Sequence, residues 1–482
     1  MTQMLVIKCL WIFWLNILIN NVEILFRQPE TIFMHTKKRF FHELYLLLAI
    51  ALPMMIAQVA QVGTGFVDTL MASRVSRGDL AAVGLGSSVF ATIYITLLAF
   101  PTALNPLLSH AFGAKKWDEL RYTAQQGVWL CFIVGLIGSL LVVLSGIFLP
   151  NFLNWEHTTV RTTQLYLYGV AFGLPAAVAS RALQSFAAAV ARTQEVMWIG
   201  IGGLILNIPL NYILIYGVFG LPKLGGAGCG FATAVVFWFH FIGLWLVVSY
   251  HAYFKKFAFN QAFSLPEIAA FRPIIKLGVP ICFSFFIEVS LFSFIAIFIA
   301  RSGEHFVAVQ QVAMTISSIL YMLPQSLGAA VAARIGQALG ANTPRRAAHI
   351  AFVCIVSGAV GALFVGVALA VFRQPIVHLF SNDTAVLRLG RDILLIAAAY
   401  QVVDAVQTIA AGALRGYKAT KVPMMIHFAA FWLLGLGLGA YLCFGVGWQL
   451  HGFWYALLIA LSAASVLLTV YLVFVAKYAV KA

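Results

Sequence analysis

Charged residues are scarce in this chain of 482 residues. Only 9% are Asp, Glu, Lys or Arg, and only 15 are acidic. A soluble domain needs far more polar side chains on its surface, so that class is excluded. Hydrophobic residues make up 62% of the chain, and its mean hydropathy is +0.96. Long apolar runs recur, each near the roughly 20 residues that cross a bilayer, which predicts an integral membrane protein.

Several chemical signatures are also lacking. The six cysteines have no short spacing and the histidines form no HExxH motif, so we expect no zinc or redox site. No Walker motif and no nucleophile–base arrangement occurs, so we expect neither direct ATP drive nor an enzyme. The stretch LGGAGCGF follows no strand and is interpreted as a turn. No cofactor is expected.

The apolar runs are continuous, whereas a membrane β-barrel would show short alternating segments. They predict an all-α polytopic membrane protein. Twelve transmembrane helices are predicted, at residues 44–70, 80–106, 124–148, 164–186, 196–217, 228–250, 277–300, 306–332, 349–372, 392–414, 424–444 and 452–476.

Basic residues are distributed unevenly between the two sides of these helices. Nineteen of them, including Arg334, Arg346 and Arg415, fall on the side of the chain termini, and eight fall on the other side. By the positive-inside rule, both termini are cytoplasmic. The net charge of +15 is then mainly an orientation signal, and we expect no nucleic-acid binding.

The two halves of the chain resemble each other. Pro53 matches Pro280 and Gly113 matches Gly340 at the same numbering offset of 227, and RALQSF is matched with GALRGY at an offset of 231. Six helices in each half predict a parallel repeat about an axis along the membrane normal. Such a repeat favours a substrate site between the halves, near the bilayer midplane.

The repeat suggests a division into four parts: an N-terminal extension, a first lobe, a cytoplasmic linker and a second lobe, at residues 1–40, 41–250, 251–276 and 277–482. The extension has no A-x-A cleavage site, so a signal peptide fits poorly. It is interpreted as an interfacial helix or as the result of start-codon choice, and whether residues 1–33 occur in the mature protein stays open.

Three acidic residues lie inside apolar runs, Asp68 in helix 1, Glu288 in helix 7 and Asp404 in helix 10. An ionised carboxylate in hydrocarbon costs a few kcal/mol or more, so each must face a cavity or a partner. Each could be a structural acid bonded to a neighbouring helix. No basic residue is predicted near them at mid-depth, so a proton, a metal cation or an organic cation could neutralise them instead. A site that takes either a coupling ion or a cationic substrate is the core of an antiporter.

Helical spacing adds aromatic and polar neighbours to these acids. Phe285, Glu288 and Phe292 fall on one helix face. Asp404 shares a face with three polar side chains, Tyr400, Gln401 and Gln407. Aromatic rings beside a carboxylate suit flat lipophilic cations, although such rings also occur in ordinary cores.

Several stretches resemble one known family. AQVAQVGTGFVDTLMA, LNIPLNYILIYG, LGGAGCGFATAVVFW, ILYMLPQSLGAAV, YQVVDAVQTIAAGALRGYK and TKVPMMIHFAAFW are similar, in this order, to the multidrug and toxic compound extrusion (MATE) family in its NorM-type bacterial branch. The resemblance covers the chain from about residue 40 to its end. It implies a cation-coupled drug antiporter with two six-helix lobes, with fluoroquinolones, ethidium-like dyes and phosphonium-type cations as candidate substrates.

The resemblance also implies roles for single residues. Coupling-cation binding falls to Glu288, Asp404 and Tyr321, and a sodium ion would be held at Glu288 and Tyr321. Substrate binding falls to five further residues: Asp68, Ser88, Phe292, Gln311 and Thr315. The sequence departs from the family in its N-terminal extension and in SFAAAVARTQEVM, where relatives often have a Lys-Pro connection.

The hypothesis is therefore a monomeric inner-membrane antiporter of the bacterial cell that expels amphipathic cationic compounds in exchange for Na⁺ or H⁺. Its partners would be small lipophilic cations and membrane lipids. The alternative is a lipid-linked oligosaccharide flippase of similar architecture, which would need basic residues along its cavity to bind a pyrophosphate. A membrane enzyme and a non-transporting scaffold are further alternatives, but the sequence lacks a catalytic arrangement and a scaffold would not need three intramembrane acids.

Overall fold

The computed structural model describes residues 33–148, 157–220, 222–259, 264–300, 303–381 and 383–481. The predicted N-terminal extension lies outside the described residues up to residue 32. Residue 33 already belongs to the first helix, which continues through the predicted boundary at residue 40.

The described residues form twelve long helical runs and no strand, which confirms the all-α fold class. In chain order these are α1 Phe33–Ser73, α2 Arg77–Gly113, α3 Trp117–Phe148, α4 His157–Ala189, α5 Gln194–Tyr216, α6 Ala227–Tyr250, α7 Ile268–Ala300, α8 Glu304–Gly340, α9 Pro344–His378, α10 Thr384–Gly416, α11 Lys421–Gly445 and α12 Gln449–Lys481. The α2 run includes a 3₁₀ turn at Phe100–Ala103, and α11 includes π-helical turns.

Each predicted span coincides with one of these helices, but most helices are longer than predicted. The polar stretches that end the apolar runs stay helical, because their backbone groups still gain from intrahelical hydrogen bonds outside the hydrocarbon layer. For example, α8 was expected to end at residue 332 but continues to Gly340.

Eleven of the described helices are long and apolar enough to cross a membrane. The exception is α4, whose 33 residues give it the length but whose composition is less apolar. Helix α4 packs against α2, α3 and α6, and most of its residues are buried. A helix that is surrounded by other helices has little contact with lipid, so it does not need a strongly apolar surface.

The chain forms two compact units. The N-unit is Ala49–Phe285, and the C-unit is Phe286–Ala482 together with Met1–Leu48, of which the structure describes residues 33–48. Helix α4 is central in the N-unit, and α10 is central in the C-unit, where it packs against α8, α9 and α12. The predicted domain boundaries stay predictions.

The segment predicted as a linker is packed on α3 within the N-unit. Gln125 donates to the Phe259 carbonyl at 2.6 Å, and Gln126 donates to the Leu265 carbonyl at 2.7 Å. The Glu267 backbone N–H donates in return to Gln126 at 2.9 Å. These contacts fix the described part of the segment on one helix of its own unit.

The internal repeat is visible in the backbone. Three pairs of turn residues with positive φ share the numbering offset of 227: Lys115 and Asn342 (57° and 55°), Ala191 and Lys418 (57° and 59°), and Gly220 and Gly447 (81° and 80°). The last residues of α4 and α10, Ala189 and Gly416, have the same offset. The offset of 231 that matched RALQSF with GALRGY is therefore wrong, and Arg181 corresponds to Thr408.

Candidate functional site

Two carboxylates of the C-unit lie close enough to interact, Glu288 on α7 and Asp404 on α10. Tyr321 on α8 interacts electrostatically with both of them. Asp404 is 2% exposed, and its Oδ1 atom has no hydrogen-bond partner among the described residues. A buried carboxylate oxygen without a donor is strongly unfavourable unless a proton or a cation supplies the missing interaction.

Arg415 also belongs to this cluster. It lies in the last turn of α10 and interacts electrostatically with Glu288 and Tyr321. Its Nη2 atom is 3.5 Å from the point where a Cβ on Gly328 of α8 would stand, so the side chain extends towards that helix. The expectation that no basic residue lies near the intramembrane acids is therefore wrong for Glu288.

The three polar residues predicted to share a helix face with Asp404 differ from one another in their contacts. Gln407 forms a 3.0 Å hydrogen bond with His427, whose ring stacks on Phe431. Tyr400 packs edge-on against Trp454 at 5.8 Å between ring centroids. Gln401 is 2% exposed, and in the described part of the chain neither its side-chain oxygen nor its side-chain nitrogen has a hydrogen-bond partner.

Three substrate candidates of the C-unit lie on α7 and α8. Phe292 is half-buried and packs against the hydrophobic core of this unit. Thr315 donates to the backbone carbonyl of Gln311 at 2.8 Å, and the Gln311 side chain is exposed. Their roles in substrate binding stay predictions.

Asp68 belongs to the N-unit, where it is 4% exposed and fully hydrogen-bonded. Its Oδ1 accepts from Asn207 at 3.2 Å and from Asn211 at 2.6 Å, and its Oδ2 accepts from Thr233 at 2.7 Å. The three donors come from α5 and α6 and are all uncharged. Asp68 therefore differs from Asp404, because neutral donors already satisfy both of its oxygens.

Ser88, on α2, is the other N-unit candidate. Its side chain is exposed, and its hydroxyl donates to the Gly84 carbonyl at 2.8 Å. The repeat offset of 227 pairs Ser88 with Thr315, so the two hydroxyl residues are equivalent in the repeat.

A second polar cluster of the N-unit was not predicted. Gln61 donates to the Tyr94 hydroxyl and accepts from Arg181. At the repeat offset of 227, Gln61 corresponds to Glu288 and Tyr94 corresponds to Tyr321. Its members are mainly uncharged, so a search for charges in apolar runs does not find it, whereas the repeat offset does.

A buried ion-pair cluster of the C-unit was also missed. Glu43 on α1 is 4% exposed and accepts from Arg334 at 2.7 Å. Arg346 forms a second pair with it at 2.6 Å. The sequence placed both arginines among the cytoplasmic charges and gave no sign that they share one carboxylate.

Comparison with known proteins shows which family this chain belongs to. The MatE family model matches the chain twice, at residues 53–213 and 280–441, which together are more than half of its length. The chain belongs to the MatE family. The two matched segments of this MatE chain begin at Pro53 and Pro280, the proline pair that first indicated the repeat.

Named relatives cover nearly the whole MatE chain. It is 45% identical over 429 residues to the "Probable multidrug resistance protein NorM" of Neisseria meningitidis serogroup A, covering 89% of this chain and 94% of the relative. It is 46% identical over 428 residues to the protein of the same name from Chromobacterium violaceum, covering 88% and 92%. These matches confirm the resemblance to the NorM-type branch.

A solved structure shares the fold at substantial identity. The "MATE transporter NorM-NG", which was solved in complex with a small-molecule ligand and a monobody, superimposes with a TM-score of 0.77 at 42% identity. The match covers 91% of this chain and 95% of that one. The described helices of this multi-pass MatE protein thus have the fold of a solved transporter.

Proposed function

We propose that this protein is an antiporter that exports amphipathic cationic compounds and takes up Na⁺ or H⁺ in exchange. The observation that carries the proposal is the C-unit cluster, in which buried Asp404 interacts with Glu288 and has an oxygen that no described residue bonds. Arg415 supplies one positive charge to this cluster, and two carboxylates cannot both stay ionised there without a further counter-charge. A proton or a sodium ion supplies that charge and can leave again.

The oxygen atoms of the cluster suit either coupling ion. Glu288, Asp404 and Tyr321 offer two carboxylates and a hydroxyl, which are hard oxygen ligands of the kind that small cations prefer. The same carboxylates are also ordinary proton acceptors. The donor set therefore leaves the choice between Na⁺ and H⁺ to experiment.

Exchange follows if the cation and the drug cannot be bound together. A cation bound at the cluster lowers the affinity for a positively charged drug, and the drug lowers the affinity for the cation by the same factor. Alternating access then exposes the site first to one side of the membrane and then to the other. The cation gradient moves the drug outwards because each partner displaces the other.

The comparisons support a multidrug substrate range. The relatives from Neisseria meningitidis and Chromobacterium violaceum are named multidrug resistance proteins, and NorM-NG was solved with a small-molecule ligand. We propose ethidium as the first test compound, because it is a flat, lipophilic and fluorescent cation. We also propose that the protein works as a monomer in the inner membrane. Both termini would lie in the cytoplasm, as the distribution of basic residues predicts.

Proteoliposomes test the proposal directly. Vesicles containing the purified protein would be loaded with ethidium, and an inward sodium gradient or a pH step would be imposed separately. We expect one gradient to drive ethidium efflux, and we expect Glu288→Gln and Asp404→Asn to abolish it because each removes an ionisable oxygen from the cluster.

A matched control separates the cluster from general charge effects. Asp392 lies on the same helix as Asp404 but is half exposed and pairs with Arg391, so Asp392→Asn should transport normally. Folded protein without efflux under either gradient would contradict the antiporter. Transport of a lipid-linked pyrophosphate by the same vesicles would instead support the flippase alternative.

A further inference from the structure

Arg181 of α4 is a charged group without an ion-pair partner among the described residues. Its Nη2 atom donates to the Gln61 side-chain oxygen, and its Nη1 atom donates to the Gln184 side-chain oxygen at 3.1 Å. Both partners are neutral amides. They satisfy two N–H groups but leave the positive charge uncompensated inside a helix bundle that spans a membrane, which is unfavourable.

A small cavity of about 30 Å³ lies beside this guanidinium group in the N-unit. None of the described residues that line it is acidic, and its polar side chains are Gln58, Gln61, Tyr94, Ser180, Arg181, Gln184 and His240. A cavity needs roughly 10–15 Å³ to hold one water molecule, so this one admits a single small guest. It is too small for a drug-sized molecule.

The polar groups next to Arg181 have donors in excess. The side-chain oxygens of Gln61 and Gln184 are occupied because both accept from Arg181. The Tyr94 oxygen accepts from Gln61, which leaves its own O–H free to donate. Arg181 carries five N–H donors and no acceptor. A guest that only accepts hydrogen bonds and carries negative charge fits this side of the cavity best.

The C-unit provides an internal comparison. The positions of Gln61 and Tyr94 are held there by Glu288 and Tyr321, and the position of Arg181 is held by Thr408. Where the C-unit has the Glu288 carboxylate, the N-unit has the Gln61 amide. Where the C-unit has the Thr408 hydroxyl, the N-unit has the Arg181 guanidinium group. At these three positions the C-unit carries an acid and no base, whereas the N-unit carries a base and no acid.

We propose that the cavity beside Arg181 binds one small monovalent inorganic anion of the size of chloride. Arg181 supplies the charge, and Tyr94 and the Gln184 amide supply neutral donors. The bound anion neutralises the guanidinium group and stabilises the packing of α1, α2 and α4 within the N-unit. The site is independent of the proposed transport activity, because it uses none of the C-unit residues.

Anion binding can be measured on the full-length protein in detergent. Sodium chloride would be exchanged for sodium gluconate at constant sodium concentration, since gluconate is too large for the cavity. We expect the thermal unfolding midpoint to rise with the chloride concentration, because an ion that binds only to the folded state stabilises that state. We expect the ³⁵Cl nuclear magnetic resonance line to broaden on addition of protein.

The variant Arg181→Gln should weaken chloride binding by about tenfold or more, because a hydrogen bond to a charged group contributes roughly 1.5–3 kcal/mol. Arg161→Gln is the matched control, since Arg161 lies on the same helix with an exposed side chain. It removes the same charge and should leave chloride binding unchanged.

Three results would overturn the proposal. They are equal unfolding midpoints in chloride and gluconate, ³⁵Cl broadening that persists in Arg181→Gln, and equal loss of binding in Arg161→Gln. If Arg181→Gln does not fold, Tyr94→Phe removes one donor and keeps the charge. Unchanged chloride affinity in Tyr94→Phe would then contradict the site, and reduced affinity would support it.

Discussion

Gln61 on α1 and Glu288 on α7 occupy the same position in the two copies of the repeat. Each lies beside a tyrosine at the equivalent position of the following helix, Tyr94 or Tyr321. The duplicated framework has kept the tyrosine and changed the residue opposite it. Because an amide neither gains nor loses a proton at ordinary pH, only the C-unit copy has an ionisable side chain at this position.

Substitutions of Asp68 can separate its role in the hydrogen-bond network from a role in transport. In Asp68→Asn, the new oxygen can accept from Asn207 and Asn211, and the new amide N–H can donate to the Thr233 hydroxyl, which reverses its role. We therefore expect thermal stability close to that of the wild type. Efflux should fall if transport needs a carboxylate at this position.

Asp68→Leu is the contrasting variant. It removes the acceptor of the Asn207 amide and of the Thr233 hydroxyl, whereas Asn211 still donates to Asn207 Oδ1 at 3.0 Å. We therefore expect a loss of about 1–3 kcal/mol of unfolding free energy for each buried group left unpaired. Thermal unfolding in detergent, followed by tryptophan fluorescence, measures both variants. Equal destabilisation by the two substitutions would contradict the hydrogen-bond arrangement.

The ion-pair cluster at Glu43 should be important for the stability of the C-unit. Glu43→Gln removes the negative charge from two arginines, of which the Arg334 side chain is only 12% exposed. Breaking a buried ion pair costs about 3–5 kcal/mol, so we expect a clear fall in the unfolding midpoint. Glu119→Gln, at an exposed pair with Lys116, should change stability by about 1 kcal/mol or less. A midpoint unchanged in Glu43→Gln would contradict the buried pair.

The close approach of α8 and α10 requires glycine at position 412. A Cβ on Gly412 would stand 2.4 Å from the carbonyl oxygen of Gly328, and backbone atoms cannot move aside as a flexible side chain can. We expect Gly412→Ala to reduce the yield of folded protein and to lower the unfolding midpoint. Gly361→Ala on α9 is the control, because its Cβ would meet no atom within 4 Å. Equal behaviour of the two variants would show that the two helices do not cross here.

The proposed coupling site predicts a gain of affinity when Arg415 is neutralised. Its guanidinium group repels an arriving cation at Glu288, so Arg415→Gln should lower the half-saturating cation concentration of ethidium efflux by up to about tenfold. Arg391→Gln, half exposed on the same helix, should leave this concentration unchanged. A higher half-saturating concentration in Arg415→Gln would mean that Arg415 holds the carboxylates in place instead of repelling the cation.

Much of the fold follows from the sequence because the bilayer sets the length of each apolar run. The three intramembrane acids could also be found, since each is a charge in a segment that disfavours charge. Arg415 could not be assigned to them, because its backbone lies at the end of α10. Side chains on a helix point back towards its N-terminus. A long arginine at the C-terminal end therefore reaches back along the helix, and here it interacts with Glu288 of α7 and Tyr321 of α8.

Contacts between distant segments could not be predicted from the sequence for a related reason. Glu43 and Arg334 are both charged residues near helix ends, and nothing in their local patterns joins α1 to α8. The cluster of Gln61, Tyr94 and Arg181 contains one charge and lies on three helices. Only the folded chain, or the repeat offset applied residue by residue, brings these side chains together.

The position of α4 also bears on how the chain enters the membrane during synthesis. This helix is less apolar than its neighbours and carries Arg161 and Arg181, so it partitions weakly into lipid when alone. Its stable position is among α2, α3 and α6, and α6 is made after it. Integration of α4 should therefore be completed only when the later helix arrives, which makes biogenesis of the N-unit a cooperative step and not a helix-by-helix one.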